Sequence, residues 1–134
     1  MDKLLKALEK EGTDIRSADM VVGGKLHHVY YRVMSGQDHD NALELSKKVK
    51  TVKEADGSTT DLTYYDDGLL RAHIIYFQLL TKEGERVFND LVKVQWIKDT
   101  ITYESSSYLS ALMGLKSVSD IIEEQQEALK KMNG

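Results

Sequence analysis

Residues 62–80, LTYYDDGLLRAHIIYFQLL, decide the predicted architecture. Placed on a helix, this segment is apolar on two faces. The first face carries Leu62, Tyr65, Leu69, Ala72, Tyr76 and Leu79, and the second carries Leu70, Ile74 and Phe77. A helix that is apolar nearly all round is typical of the buried centre of a domain. We therefore expect a central helix over 62–80, which begins with the tyrosine rings of 64–65 against the core and the aspartates of 66–67 in water.

The segment 19–34 has a period of two instead. Val29 and Tyr31 fall on one side and Tyr30 on the other, as in a strand. Gly23-Gly24 interrupts the alternation, and both central residues of a tight primed turn need the positive φ that glycine adopts readily. We predict a β-hairpin here, the one strand pair that the sequence indicates.

Helical spacing of apolar residues predicts the remaining elements. Helices are expected at 2–11, closed by Gly12; at 38–55, with Asp38 or Asp40 as N-cap; at 91–98, where a strand is the alternative; and at 102–115. Ser117 and Asp120 resemble a capping box that opens a terminal amphipathic helix of about 16 residues. The polar residues 53–61 are expected to form a flexible loop.

The fold class that follows is α+β, a mostly helical single domain over residues 1–134 with one N-terminal β-hairpin. A chain of 134 residues suits one core, and the absence of proline permits long helices with short connections. We expect the hairpin to pack on about five or six helices.

Composition excludes several classes of protein. Hydrophobic residues at 41% and charged residues at 30% are typical of a folded domain. No apolar run approaches the roughly 18 residues of a membrane span, and the first residues lack the apolar stretch of a leader peptide. The absence of cysteine excludes disulfides and thiolate metal sites, and the net charge of −4 argues against general nucleic-acid binding. We expect a soluble cytoplasmic protein that binds neither membranes nor nucleic acid.

Histidine and acidic clusters invite a metal site, but each has a simpler structural interpretation. His27 and His28 are adjacent on a predicted strand, so their rings point to opposite faces. Residues 38–44 begin like a calcium loop, but the ligand pattern fails at Ala42, and helix capping explains the same acidic residues. No metal or cofactor is predicted.

Other candidate groups also lack the context that catalysis needs. Residues 64–67 pair tyrosines with aspartates, but nothing places a second carboxylate pair opposite them. Residues 105–107 supply three serines without a nucleophile elbow, and we expect them to start a helix. No catalytic residue is predicted.

Two surfaces remain as candidates for binding another molecule. The basic residues of 47–53 form either a solvated face or a contact for an acidic partner. The terminal helix carries an apolar stripe that covers either the domain's own core or a groove on another chain. The partner-binding candidates on that stripe are Val118, Ile121, Ile122, Gln125 and Leu129.

Three segments, taken in order, resemble the tail assembly chaperones of long-tailed bacteriophages. They are the glycine hairpin VVGGKLHHVYYRV at 21–33, the helix RAHIIYFQLL at 71–80, and the acidic-glycine turn TKEGERVF at 81–88, followed by further helices. The resemblance is one of element order and covers residues 19–132. The polar stretch 47–61 is longer than such proteins usually have.

The resemblance implies a non-enzymatic chaperone that binds the tape measure protein and helps recruit tail tube subunits. Such a protein works in the cytoplasm of the bacterial host, is absent from the mature virion, and is often also made in a longer, frameshifted form. Weak self-association is compatible with this role. The alternatives are a head-tail connector or tail-completion protein retained in the virion, and a small hydrolase or metal enzyme built on the histidines and acidic pairs.

Overall fold

Two β-hairpins are inserted between the first three helices, and three further helices end the chain. A computed structural model describes residues 2–115 and 118–133. The side chains of residues 118–122, 124 and 133 are outside that description. The helices of the described part are α1 (Asp2–Thr13), α2 (Gly36–Leu45), α3 (Asp67–Gln78), α4 (Lys93–Thr100), α5 (Tyr103–Leu112) and α6 (Val118–Asn133). Its strands are β1 (Arg16–Val22), β2 (Lys25–Tyr31), β3 (Lys47–Lys53), β4 (Thr59–Tyr65) and β5 (Leu79–Leu80).

The predicted central helix exists as α3, and it is the centre of the core. Ile74 and Ile75 are almost fully buried, and α2, α4 and α5 pack around the helix. Burial on all sides follows from the two apolar faces of its sequence. The buried cluster is formed by Tyr31, Ala42, Leu70, Ala72, Ile74, Ile75, Tyr76, Val94, Ile97, Leu109 and Met113.

The limits of α3 differ from the prediction at both ends. The helix begins at Asp67, because Asp66 has an extended conformation and its carboxylate accepts a hydrogen bond from the backbone N–H of Leu69. Residues 59–65 belong to β4 instead. At the other end Leu79–Leu80 leave the helix to pair with β2 as β5.

The predicted N-terminal hairpin is confirmed. Gly23 and Gly24 have φ values of 59° and 79°, and Val22 pairs with Lys25 on either side of this two-residue turn. The tight turn fixes the register over the whole length of β1 and β2. β5 extends the pair to a three-stranded sheet of order β1-β2-β5, so β1 is an edge strand.

A second hairpin, β3–β4, replaces the predicted helical segment and loop at 47–61. Lys47 pairs with Tyr65 and Lys53 with Thr59, and a turn over residues 54–57 joins the strands. The prediction of one hairpin was therefore wrong. β-branched and aromatic residues favour strands, and β4 consists largely of threonine and tyrosine. Both strands are exposed on nearly all of their length.

The helix predicted at 38–55 is consequently short. It ends at Leu45, and its N-cap is Ser35 and not Asp38 or Asp40. Asp38 is the N3 residue of a capping box, in which its carboxylate accepts from the N–H of Ser35 and its own N–H donates to the Ser35 hydroxyl.

The other predicted helices are present with shifted ends. α1 runs through Gly12 to Thr13, α4 confirms the helical interpretation of 91–98, and α5 is capped by Thr102. α6 has 16 residues, as expected, whereas the predicted capping box at Ser117 lies outside the described residues. None of the helices in the described part of the chain is both long and apolar enough to span a membrane.

Candidate partner-binding surfaces

The terminal helix α6 presents apolar side chains to solvent. Leu129 is 56% exposed and Met132 81% exposed, and Gln125 is also exposed. These three residues lie at intervals of four and three, so they share one helix face. Val118, Ile121 and Ile122 belong to the same helix, but their side chains are outside the described part. Within the described residues, the apolar stripe of α6 is therefore open.

The first helix, α1, is open in the same way. Leu4, Leu5 and Leu8 are each more than half exposed, and no residue of α1 is buried. The sequence predicts the amphipathic character of this helix correctly, but it does not reveal that the apolar face lacks a cover. Exposed apolar patches of this kind mark sites of interaction with other molecules.

A third surface is a groove of about 520 Å³ between β1 and the first half of α5. Val21 and Val22 line it from the edge strand, and Tyr108 lines it from the helix, where its hydroxyl donates to the carbonyl oxygen of Asp19 at 3.1 Å. An open sheet edge beside a groove can accept an extended peptide as a further strand. Local sequence patterns miss this site, because its two walls are far apart in the chain.

His28, His39 and His73 each have different neighbours. His28 contacts Asp19, and the ring of His39 lies 3.8 Å from the carboxylate of Asp40. His73 lies in the core instead. The described residues contain no group of three or more His, Cys, Asp or Glu side chains placed to hold a metal ion.

The buried His73 lies beside Ser46, a pairing that sequence analysis did not suggest. Ser46 Oγ donates to the carbonyl oxygen of Ala42 at 2.6 Å and lies 3.4 Å from His73 Nδ1. The same Nδ1 lies 2.8 Å from the carbonyl oxygen of Leu69, so it acts there as a donor and cannot accept the serine proton. Ser46 has no exposed surface. Both side chains are buried, so the pair is closed to a substrate.

Asp66 is an ion-pair centre, which corrects the expectation that it lies in water. Its Oδ2 accepts from Lys98 Nζ at 2.8 Å and lies 3.1 Å from Lys48 Nζ. The bond from Lys98, followed by the bond from the N–H of Leu69, holds the pKa of Asp66 well below its usual range. Burial opposes this shift but is the smaller effect. The cluster ties β3, α3 and α4 together.

The tyrosines that precede Asp66 also differ from the prediction. Tyr64 and Tyr65 lie on β4, where both rings are about half exposed and not packed in the core. The lysines of β3 are divided between the two faces of the ribbon, instead of clustering on a helix. Residues 105–107 lie in the first half of α5, as expected.

No protein-family model matches the chain, and no curated protein or solved structure shows significant similarity to it.

Proposed function

We propose that this chain is a phage tail assembly chaperone, a non-enzymatic protein that binds the tape measure protein and helps recruit tail tube subunits in the host cytoplasm. The observation that carries the proposal is the open apolar face of α6, at Leu129 and Met132. The order of the elements agrees with the resemblance described above, and the departure at 47–61 is the β3–β4 ribbon.

An open apolar face on a helix is suited to binding another amphipathic helix. A tape measure protein is a long helical chain that exposes apolar stripes until tube subunits enclose it. An amphipathic helix recognises such a stripe through apolar residues at intervals of three and four. The residues proposed for contact are Val118, Ile121, Ile122, Gln125 and Leu129. The opposite face of α6 carries exposed charges, including Glu123, Glu127 and Lys130, which keep the helix hydrated.

The binding test is co-expression with the tape measure protein, followed by affinity capture. Ile122→Asp and Leu129→Asp place a charge in the apolar stripe and should abolish capture. Lys130→Asp introduces the same side chain on the charged face of the helix and should leave capture unchanged. Folding of each variant is checked by circular dichroism. Full capture by both stripe variants in a folded state would show that α6 is not the contact surface.

A second test concerns the longer form of the protein. The native gene is expressed with its downstream DNA and an amino-terminal tag, and the products are weighed by intact mass. We expect a minor product that shares this amino terminus and continues in a shifted frame beyond about residues 125–134.

Analysis of purified virions separates the proposal from its main alternative. A chaperone is absent from the particle, whereas a connector or tail-completion protein is present in stoichiometric copies. Recovery of this chain from virions in such copies would overturn the chaperone proposal in favour of the structural one.

A further inference from the structure

A cavity of about 260 Å³ lies where the ends of α1, β2 and α3 meet. The charged and polar side chains that line it are Arg32, Asp38, Gln78 and Arg86. Two guanidinium groups and one carboxylate give this lining a net positive charge, in a chain whose overall charge is −4. No residue of α6 whose side chain is described lines this cavity.

Arg86 is held rigidly but is not satisfied. Its guanidinium carbon lies 4.6 Å from the centroid of the Tyr76 ring and 5.0 Å from that of Phe77. Nη2 reaches the carbonyl oxygen of Tyr76 only at 3.5 Å, and the buried Nε has no hydrogen-bond acceptor. A buried donor without an acceptor is costly, and the cost is greater for a charged group. Because this Nε has no accessible surface, a ligand in the cavity can reach only the Nη groups of Arg86.

The backbone of Arg32, which also lines the cavity, is fixed by two hydrogen bonds to Gln78. Its N–H donates to the carbonyl oxygen of Gln78 at 3.1 Å, and its own carbonyl oxygen accepts from Gln78 Nε2 at 3.1 Å. Among the described residues, no carboxylate lies within ion-pair distance of the guanidinium of Arg32 or of Arg86. The two strongest anion-binding groups of the cavity are thus available.

The single acidic group of the lining is already engaged. Asp38 Oδ2 accepts from the backbone N–H of Ser35 at 3.0 Å, within the capping box of α2. This bond uses the carboxylate at the helix terminus, where the helix dipole also stabilises it. Asp38 therefore does not neutralise the arginines by direct pairing.

We propose that this cavity binds a small oxyanion, a phosphate or a carboxylate, between Arg32 and Arg86. Guanidinium groups present planar N–H donors that match the oxygens of both anions. The bound oxyanion accepts from the Nη groups of Arg86 and compensates the net positive charge of the lining. Stacking on Tyr76 and Phe77 fixes the Arg86 donors in advance, so little side-chain entropy is lost on binding.

The test uses inorganic phosphate and citrate as probes, each titrated into the full chain at constant ionic strength. Binding is followed through the unfolding temperature and through the Nε–H resonance of Arg86 in NMR spectra. We expect a saturable rise in unfolding temperature and a matching shift of that resonance with at least one probe. The probe that gives the tighter binding identifies the oxyanion class.

Arg32→Gln is the decisive variant, because this side chain makes no ion pair in the described structure and its removal should leave the fold intact. We expect it to weaken binding by about tenfold, the effect of losing one charge-assisted hydrogen bond. Arg16→Gln removes the same charge from exposed strand β1 and should bind as the wild type does. Absence of saturable binding with both probes, or equal binding by wild type and Arg32→Gln, would overturn the proposal.

Discussion

Replacing Asp66 by asparagine removes a charge from the ion-pair centre while keeping an oxygen that can cap α3. Asparagine and aspartate are equally good N-caps, so the bond to the N–H of Leu69 should survive. The change acts on the bonds to Lys98 at 2.8 Å and Lys48 at 3.1 Å. Both partners therefore lose their carboxylate while the backbone is undisturbed.

The expected loss of unfolding free energy follows from how exposed the two lysine side chains are. The Lys98 side chain is 28% exposed, so its bond resembles a partly buried charge-assisted hydrogen bond, worth about 1.5–3 kcal/mol. The Lys48 side chain is 43% exposed, so its ion pair with Asp66 resembles a surface salt bridge, worth about 0–1 kcal/mol. We expect Asp66→Asn to lower the free energy of unfolding by about 2 kcal/mol, and Asp66→Ala by about 3 kcal/mol because the cap is lost as well.

The pH dependence of stability gives this prediction a second signature. The pKa of Asp66 is lowered in the folded state from its ordinary value of 3.8, so the folded state binds the proton less readily than the unfolded state. The ionised Asp66 therefore stabilises the fold fully above pH 3.8, and this stabilisation is lost as the pH falls below 3.8. Asp66→Asn should remove this part of the acid dependence.

Urea unfolding followed by circular dichroism, at neutral pH and through the acidic range, measures both effects. Asp67→Asn is the matched control, since Asp67 is exposed, makes no ion pair in the described structure and should change stability only slightly. An Asp66→Asn variant as stable as the wild type at neutral pH, with an unchanged acid profile, would refute the role assigned to the cluster.

Two further perturbations test the turns and the core. Gly84 has a φ of 87°, and an added Cβ would lie 2.7 Å from Ile15 Cδ1, whereas Gly24 has a φ of 79° and open space. Ile15 Cδ1 is the far end of a half-exposed side chain that can move aside, so Gly24→Ala and Gly84→Ala should each cost about 1 kcal/mol of backbone strain in chemical denaturation. A much larger loss at Gly84 would contradict this reasoning. Burial lowers the pKa of His73 from 6.5, so protonation opposes folding and stability should decline as pH falls below that value. His73→Asn, which can keep the hydrogen bond to the backbone, should lack this decline in urea midpoints measured across pH, and an unchanged decline would assign it to another group.

The elements that sequence analysis finds are those whose pattern is strong within one segment. The two apolar faces of α3 and the Gly23-Gly24 turn with its flanking alternation are such patterns, and both are confirmed. Each depends only on neighbours in the chain, because a buried helix and a tight hairpin turn impose their own residue types.

The β3–β4 ribbon was missed because it lacks the alternation of a half-buried strand. It is exposed on both faces, so no apolar period of two is required, and Val49 and Val52 happen to fit helical spacing. The Asp56-Gly57 pair is a hairpin signal, but it is also a plausible helix stop. The threonines and tyrosines of β4 were the remaining indication of a strand.

The candidate sites could be predicted only in part. An amphipathic stripe on α6 is visible in the sequence, since it depends on local spacing. Tertiary packing between segments that are distant in the chain brings Ser46 to His73 and Asp66 to Lys98, and it places Arg32 and Arg86 beside one cavity. No periodicity within a single segment encodes such contacts.

The base of the β3–β4 ribbon is closed by a bond from the N–H of Asp66 to the carbonyl oxygen of Ser46, at 2.9 Å. The chain therefore leaves the helical body at Ser46 and returns to it beside the same residue after completing the ribbon. α2 and α3 would form an ordinary helical hairpin if the two residues were joined directly. The ribbon is therefore built like an insertion between α2 and α3. Its length and sequence can vary while the helices keep their packing.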